Sequence, residues 1–338
     1  MNISTIGIDL AKNIFQLHGV SDHGIPSLTK RLKRDKLLPF LANTPPCLIG
    51  IEACGGSNYW ARQIKALGHD VKLISPQYVK PFVITNKNDY NDAAAICMAV
   101  QQPEMRFVAI KDITHQDIQT LHRIRTRLIS GRTALVNQTR GILLEFGILI
   151  PIGIRAFRRE VPLILEDAEN ELTITAREII ADQYHDLLNL DEKIIRYEKR
   201  IQQVFKNTPI CQRMAQIEGV GPLIATALLA AVGDAHNFKN GRQMATWLGL
   251  VPRQHSSGNK NRLLGISKRG DPYLRTLLIH GARSIVFRCN TKNEARNRWI
   301  KNLRQRRGIN RTSVALANKN ARILWALMVN DDAYRYAA

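Results

Sequence analysis

Two short apolar runs in the first sixty residues, each followed by a carboxylate, constrain the fold more than any other feature. Ile6–Ile8 leads into Asp9, and Cys47–Ile51 leads into Glu52. A short, continuous apolar run bounded by turn residues is typical of a strand that is buried on both faces of its sheet. The sequence therefore predicts an α/β domain in which helices cover the faces of a mixed sheet.

The order of the neighbouring elements fits a ribonuclease-H-like layer. Three strands come first as a meander, and helix then alternates with strand. Glycine and serine residues between the later elements supply turns and helix caps. The predicted strands are Ser4–Ile8, Ile14–Val20, Cys47–Glu52 and Asp70–Ser75, and the predicted helices are Lys33–Leu41 and Asn58–Leu67.

The charge of the chain indicates a polyanionic partner. Its 338 residues include 49 Lys and Arg against 28 Asp and Glu, which gives a formal net charge of +21. Such an excess is typical of proteins that bind nucleic acid. No apolar run approaches the roughly 20 residues that span a bilayer, and the first residues lack a signal-peptide pattern. We therefore expect a cytoplasmic, nucleoid-associated protein with no membrane partner.

The cysteines are expected to be small buried residues. They are scattered and contain no C-x-x-C pair, so neither a zinc site nor a disulfide framework is indicated. The five positions are Cys47, Cys54, Cys97, Cys211 and Cys289.

Two further carboxylates extend the pattern of Asp9 and Glu52. Asp89 and Asp92 stand three residues apart before an apolar run, so on a helix they share one face. As an isolated pair they fit a helix cap with a first-turn charge. Four converging carboxylates instead favour a hard cation such as Mg²⁺, which prefers oxygen ligands. One or two such ions suit phosphoryl transfer, because they stabilise the attacking and leaving oxygens.

Two long helical stretches follow the predicted sheet. The stretch Thr114–Phe146 carries a row of basic residues on its polar face, and few of them have an acidic residue four positions later in the sequence. This pattern favours contact with nucleic acid over a helix face that is only solvated. From about Glu171 to Phe205, an apolar stripe is interrupted at Asp191 and Glu198. The stripe fits equally a coiled-coil arm for self-association and a helix packed on its own domain. The basic row consists of His122, Arg123, Arg125, Arg127, Arg132 and Arg140.

The last third of the chain carries a second set of candidates. Gly219 and Gly221 precede the apolar helix Leu223–Val232 and have the form of a helix-hairpin-helix whose amides face a phosphate. A polar loop over residues 247–262 then contains Ser257. A serine in such a loop is usually a turn residue, but with cations around a scissile phosphate its hydroxyl suits a nucleophile. The cations are Arg253, Lys260, Arg262, Lys268 and Arg269.

Two neighbouring features also suit nucleic acid. His255, two residues before the serine, fits a phosphate contact or a packing residue better than a base. Arg296–Arg311 is strongly basic and contains Trp299, which suits a grip on nucleic-acid phosphates.

Seven short motifs resemble one family: the bacterial insertion-sequence transposases of the one-ten type, in its eleven-eleven group, related to Piv-like DNA invertases. Each motif is modest alone, but seven in the right order over nearly the whole chain are specific. A departure from the family pattern is Cys54-Gly55-Gly56, where threonine-glycine is commoner. The motifs are G-I-D-x-A-K at Gly7–Lys12, I-E-A-x-G at Ile51–Gly55, N-D-x-x-D at Asn88–Asp92, I-x-G-V-G at Ile217–Gly221, G-L-V-P-R at Gly249–Arg253, S-S-G at Ser256–Gly258 and I-S-K-x-G at Ile266–Gly270.

The resemblance implies an architecture, a chemistry and a set of partners. It implies a RuvC-like domain at residues 1–150, a helical coiled-coil region at 151–207 and a mostly helical transposase domain at 208–338. It also implies that Ser257 attacks a DNA phosphate to give a 5′-phosphoserine, assisted by Mg²⁺ at the DEDD tetrad of a neighbouring protomer. The implied partners are donor and target DNA, a bridge RNA from the element's flank, and copies of the chain that form dimers and tetramers. The implied tetrad is Asp9, Glu52, Asp89 and Asp92.

Two other functions fit many of the same residues. A RuvC-like nuclease or junction resolvase would hydrolyse DNA with water at the tetrad, and Ser257 would be only a loop residue. A non-catalytic nucleic-acid-binding protein would use the basic helices and the hairpin alone. The complete set of four carboxylates argues against the second function, and the behaviour of Ser257→Ala separates the first from a recombinase.

Overall fold

The chain folds into two compact units. The computed structural model describes residues 3–84, 88–258, 260–289 and 295–330. The first unit comprises Met1–Thr114 with Val232–Asp234, and the second comprises His115–Ala231 with Ala235–Ala338. Among the described residues, no helix combines the length and the apolar character that a membrane crossing requires.

The first unit contains a mixed sheet, as the sequence predicted. Its strands are β1 (Thr5–Leu10), β2 (Ile14–Val20), β3 (Pro26–Lys33), β4 (Leu48–Glu52), β5 (Asp70–Ile74) and β6 (Phe107–Val108), in the spatial order β3-β2-β1-β4-β5-β6. The first three strands form an antiparallel meander. β4 runs parallel to both β1 and β5, and β6 closes the edge in the antiparallel sense.

Four helices accompany this sheet: α1 (Leu37–Ala42), α2 (Ser57–Ala66), α3 (Pro76–Val79) and α4 (Asp89–Val100). The helix predicted from Lys33 begins later, because Lys33 ends β3 and Arg34–Lys36 form a 3₁₀ turn. Ile8 and Ile51 are fully buried in a cluster with α1 and α2 residues. The apolar runs are therefore buried as predicted.

The second unit is mostly helical and contains one β-hairpin. Its helices are α5 (Ile113–Glu145), α6 (Ile154–Glu166), α7 (Ile174–Lys206), α8 (Pro209–Met214), α9 (Pro222–Val232), α10 (Gly241–Trp247), α11 (Pro272–Arg288) and α12 (Ala295–Val329), and the hairpin is formed by β7 (Pro252–Ser257) and β8 (Lys260–Ile266). α12 is divided at Gly308, which has φ 74° and ψ 171°. Its two arms contact each other, because Arg296 Nη2 donates to Asn320 Oδ1 over 2.9 Å.

The apolar stripe of α7 packs against its own chain. Ile180 and Leu187 are fully buried in a cluster with Val136 of α5 and Phe157 of α6. Of the two interpretations of this stripe, the structure confirms a packed helix. A coiled-coil arm for self-association stays a prediction.

The interruptions in the stripe pair with the basic row of α5. The ion pairs are Arg125–Glu198 at 2.6 Å, Arg132–Asp191 at 2.7 Å and Arg158–Asp191. Two arginines of the row thus have acidic partners after all, but these partners come from α7 and not from the next turn of α5. Arg123 and Arg127 are exposed.

His122, another member of the row, is buried and has two hydrogen-bond partners. Thr226 Oγ1 donates to the Pro222 carbonyl over 2.7 Å and therefore accepts from His122 Nε2, 2.9 Å away. His122 Nδ1 then accepts from the Tyr273 hydroxyl at 2.9 Å. Burial, aided by the Arg125 charge, lowers the pKa of His122 to about 4. The imidazole is neutral and buried, so the expectation that His122 lies on the polar face of this helix is wrong.

We expect His122→Gln to flatten the acid side of the stability profile. The unfolded histidine has a pKa of about 6.5 and the folded one about 4, so its contribution is complete above pH 6.5. It is lost as the pH falls from 6.5 towards 4, by about 3 kcal/mol at most. Urea unfolding of both proteins at several pH values measures the difference. His23→Gln, at an exposed position, is the control, and equal pH slopes for the wild type and His122→Gln would contradict the assignment.

Candidate active site

Asp9 and Glu52 lie side by side at the carboxyl ends of two parallel strands. The register pairs Gly7 with Gly50 and Ile8 with Ile51, so Asp9 and Glu52 are the next pair along. Because side chains alternate along a strand, each carboxylate points to the same face as the glycine two residues before it. The two acids predicted from separate apolar runs are thus brought together.

Helix α4 crosses this face at the paired glycines. A Cβ on Gly7 would lie 2.2 Å from the Ala93 carbonyl oxygen, and a Cβ on Gly50 would lie 2.8 Å from Val100 Cβ. Only glycine permits this approach of helix to sheet. The contact at Ala93 brings the first turn of α4 to β1, next to the end that carries Asp9.

We expect Gly7→Ala to lower the free energy of unfolding by about 3 kcal/mol, because the new methyl group would overlap the backbone of α4. Gly55→Ala is the matched control, because a Cβ there meets nothing within 4 Å. Chemical denaturation of both variants gives the comparison. If the two variants were equally stable, the close packing of α4 on β1 would be wrong.

The pKa of the Cys54 thiol responds to the negative charges of the two carboxylates. Burial raises its pKa, and the negative charges of Glu52 and then Asp9 raise it further. Its sulfur lies 4.0 Å from the Leu10 carbonyl oxygen, just past Asp9. Both carboxylates therefore act on one point in space, and a bound cation would relieve their mutual repulsion.

Asp89 and Asp92 occupy the first turn of α4, as predicted. Asn88 caps this helix, since its side-chain oxygen accepts from Asn91 N at 2.8 Å. The oxygen donors of the four acids suit Mg²⁺. Among the described residues, however, no three His, Cys, Asp or Glu side chains are grouped to hold a metal ion. The structure brings Asp9 and Glu52 together, and the complete tetrad stays a prediction.

The stretch predicted as a polar loop is instead an exposed hairpin. Ser257 pairs with Lys260 and His255 pairs with Arg262 across the two strands, and every β7 residue is exposed. Partners across an antiparallel pair share a face, as do alternate residues along one strand. One face therefore carries His255, Ser257, Lys260 and Arg262, whereas Arg253 lies at an irregularity of the pairing between Pro252 and Gln254. Gly258, with φ 55°, begins the turn, and Asn259 lies outside the described residues.

The two adjacent serines differ in their surroundings. Ser256 points to the opposite face, where its hydroxyl accepts a hydrogen bond from Gln254 Nε2 at 2.9 Å. The Ser257 hydroxyl has no hydrogen bond to any part of the chain that the structure describes. It is therefore the serine that is available to a phosphate held by the cationic face.

The base of the hairpin is held by close backbone contacts. A Cβ on Gly270 would lie 2.1 Å from the Trp247 carbonyl oxygen, and one on Gly249 would lie 2.9 Å from Arg269 N. Ser267 N also donates to the Val251 carbonyl over 2.8 Å. Lys268 (φ 55°) and Arg269 are exposed at this junction. Two of the sequence motifs thus anchor the strand that presents Ser257.

The glycines of the predicted helix-hairpin-helix have different surroundings. Gly219 has φ 85°, and a Cβ on it would lie 2.7 Å from the Gly281 carbonyl oxygen of α11. Gly221 faces open space, and its carbonyl accepts from Ile224 N and Ala225 N at the start of α9. Gly219 is required for packing, whereas a phosphate contact at this turn stays a prediction.

A signal for the hairpin was present in the sequence. Gly-Asn between two runs is a recognised two-residue hairpin turn. It places His255 on the same face as Ser257, a relation that a loop does not specify. The alternation was hidden because β7 carries polar side chains on both faces.

Comparisons with known proteins agree over nearly the whole chain. Residues 6–148 match the DEDD model for IS110, described as a transposase, and residues 211–299 match a model described as the transposase IS116/IS110/IS902 family. The first range contains the four carboxylates, and the second contains Ser257.

Whole-length relatives carry similar names. A probable family 20 transposase from Pseudomonas aeruginosa is 48% identical, with 99% of each chain covered. The transposase for insertion sequence element IS1111A from Coxiella burnetii is 47% identical over all of this chain and 93% of its own. A pilin gene-inverting protein from Moraxella bovis is 24% identical over 85% of this chain and 84% of its own.

Proposed function

The chain belongs to the IS116/IS110/IS902 family of transposases, enzymes that cleave and recombine DNA, and we propose that Ser257 is its nucleophile. The observation that carries this proposal is the hairpin face on which the exposed Ser257 lies beside Lys260 and Arg262, with Arg253 on the same strand. Cationic side chains beside a hydroxyl suit the two unesterified oxygens of a DNA phosphate.

The proposed chemistry is a transesterification without net hydrolysis. Ser257 Oγ forms a bond to phosphorus, and the bond from phosphorus to the 3′-oxygen breaks. The serine loses its proton and the departing 3′-oxygen gains one, so charge is conserved. The product is a 5′-phosphoserine and a free 3′-hydroxyl, which a second transfer can join to another strand. The cationic face orients the phosphate and stabilises the charge that develops on its oxygens.

We assign the four carboxylates to a divalent cation, because the strand register brings two of them side by side. Asp9 and Glu52 would hold it, joined by Asp89 and Asp92 from the first turn of α4. A bound Mg²⁺ supplies electrostatic stabilisation to the oxygens of the phosphate. The tetrad and Ser257 belong to different compact units, which is compatible with a site assembled from two protomers.

The guide RNA and the oligomer are also part of the proposal. The family resemblance supports a bridge RNA that pairs with donor and target DNA, and dimers that join as tetramers. The net charge of +21 supports a large polyanion, such as RNA or DNA, as a partner of this chain. Expression with the natural flanks, followed by sequencing of the copurified RNA, tests the guide. A discrete flank-encoded RNA is expected, and only bulk cellular RNA would contradict guidance.

Excision of the element tests the function itself. The wild-type chain, expressed in cells that carry the element with its flanks, is expected to produce joined element ends detectable by amplification across the junction. A recombinase yields joined ends, whereas a nuclease yields only broken ends. Broken ends without junctions would overturn the proposal in favour of the RuvC-like nuclease, and neither product would favour a binding protein.

A further inference from the structure

A cavity in the second unit lies outside all the residues discussed as catalytic. It has a volume of about 300 Å³ and lies between α5, α9 and the first turn of α11. This volume is at the lower end of the range for small-ligand pockets. One wall consists of Ala227, Ala230 and Ala231. Three methyl groups on one helix leave a flat apolar wall, which suits a planar ring.

A second part of the lining is aromatic and polar. His122 and Tyr273 line the cavity, with their ring centroids 5.7 Å apart. The hydrogen bonds from His122 to Thr226 and from Tyr273 to His122 hold the imidazole and the phenol hydroxyl in place. His122 is buried and Tyr273 is half-buried, so the ring of Tyr273 is the more accessible of the two aromatic surfaces.

Charged and amide groups line the same cavity. Arg123 is exposed and takes part in none of the ion pairs found among the described residues. Gln119, one turn earlier, supplies an amide with a donor and an acceptor. Asp271 accepts from Tyr273 N at 2.7 Å and caps α11. The cavity thus combines a flat apolar wall, an aromatic wall, an amide and one exposed guanidinium.

We propose that this cavity takes one unstacked nucleobase of a bound polynucleotide, with Arg123 on the adjoining phosphate. The inference rests on the proposed function only for the presence of nucleic acid. Single-stranded nucleic acid is commonly held by stacking on aromatic side chains, with amides on base edges. A flat slot rimmed by arginine provides these contacts, and a free mononucleotide carries the same chemistry.

Crosslinking of a short thymidine oligonucleotide that contains 4-thiothymidine tests the site in the full-length protein. We expect the crosslinked peptides to come from the cavity wall around Gln119–Thr126 or Tyr273. Ala231→Leu fills the cavity at a partly exposed helix position. It should lower the affinity about tenfold, the lower part of the effect of one stacked base. Ala215→Leu, outside the cavity, is the control for the added volume.

A second pair of variants separates the proposed phosphate contact from general charge. Arg123→Gln removes one exposed positive charge from α5, and the control Arg155→Gln removes one from an exposed position of α6. At the same salt concentration, we expect Arg123→Gln to reduce both the affinity for the oligonucleotide and the crosslink yield more than the control variant does. Equal losses for the two variants, or crosslinks that all map elsewhere, would overturn the proposal.

Two further arms separate the sources of failure. Millimolar thymidine monophosphate should leave the crosslink largely intact. Complete loss of the crosslink would mean that the cavity binds free nucleotides instead. Ser257→Ala should crosslink like the wild type, because it lies outside the cavity. If excision succeeds but no cavity crosslink forms, the cavity proposal fails and the transposase chemistry stands. If the crosslink forms but no junction appears, the cavity proposal stands and the proposed transposase chemistry fails.

Discussion

Ser257→Ala is expected to abolish the covalent protein–DNA adduct and to reduce strand exchange about 10³-fold or more, as loss of a nucleophile does in other enzymes. Alanine removes only the hydroxyl, and the residue is exposed in a strand whose pairing uses the backbone. Folding and DNA affinity should therefore stay near wild type. Denaturing gels with labelled DNA, together with a filter-binding assay, measure adduct and affinity separately.

Ser256→Ala is the matched control for this experiment. The two serines are neighbours on one strand, but Ser256 faces away and is hydrogen-bonded to Gln254. Its loss should leave the adduct at the wild-type level. An adduct that survives denaturant in Ser257→Ala, or that disappears in Ser256→Ala, would assign the nucleophile elsewhere.

Asp9→Asn is expected to reduce DNA cleavage about 10³-fold or more without loss of the folded state. The amide keeps the shape of the side chain but removes one of two adjacent negative charges that a cation would bridge. The amide has nearly the same size as the carboxylate, so the variant should unfold at a denaturant concentration close to that of the wild type. Cleavage across a Mg²⁺ titration, with urea unfolding, measures both effects.

Asp70→Asn is the control for charge. Asp70 lies at the opposite end of the parallel strands, where it pairs with Lys72 at 3.0 Å, and its loss should leave cleavage unchanged. The Cys54 thiol provides a readout that is independent of activity. Its pKa should fall in Asp9→Asn, because one of the charges that raise it is gone, and alkylation rates against pH report it. An unchanged thiol pKa would mean that Asp9 does not face this site.

The strands of the first unit were predictable because their cause is local. A short apolar run bounded by turn residues is buried when the chain folds, and Ile8 and Ile51 are fully buried as expected. The position of α4 was harder to predict from the sequence. Its first turn was recognised from Asp89 and Asp92, but its path follows from two paired glycines, Gly7 and Gly50, whose meaning depends on which strands are neighbours.

The helical unit shows the limit of local reasoning about charge. Arg125 and Arg132 appeared unpaired because only positions within one turn were considered, whereas Glu198 and Asp191 approach from a helix about 60–70 residues later. His122 was grouped with them and is instead a buried neutral residue. An exposed row of charges cannot be distinguished from a buried network of ion pairs and hydrogen bonds until the helix that packs on it is known.

By itself, the sequence determined the strand order of the meander, the long helices, the excess of positive charge and the motifs that place the chain among transposases. These properties depend on spacing and composition, which are complete in one dimension. Tertiary structure alone decided that Asp9 and Glu52 share a face, that Ser257 and not Ser256 stands among cations, and that His122 closes a cavity. Each depends on strand register or helix packing between residues far apart, and the free energy of those contacts appears only once the chain has folded.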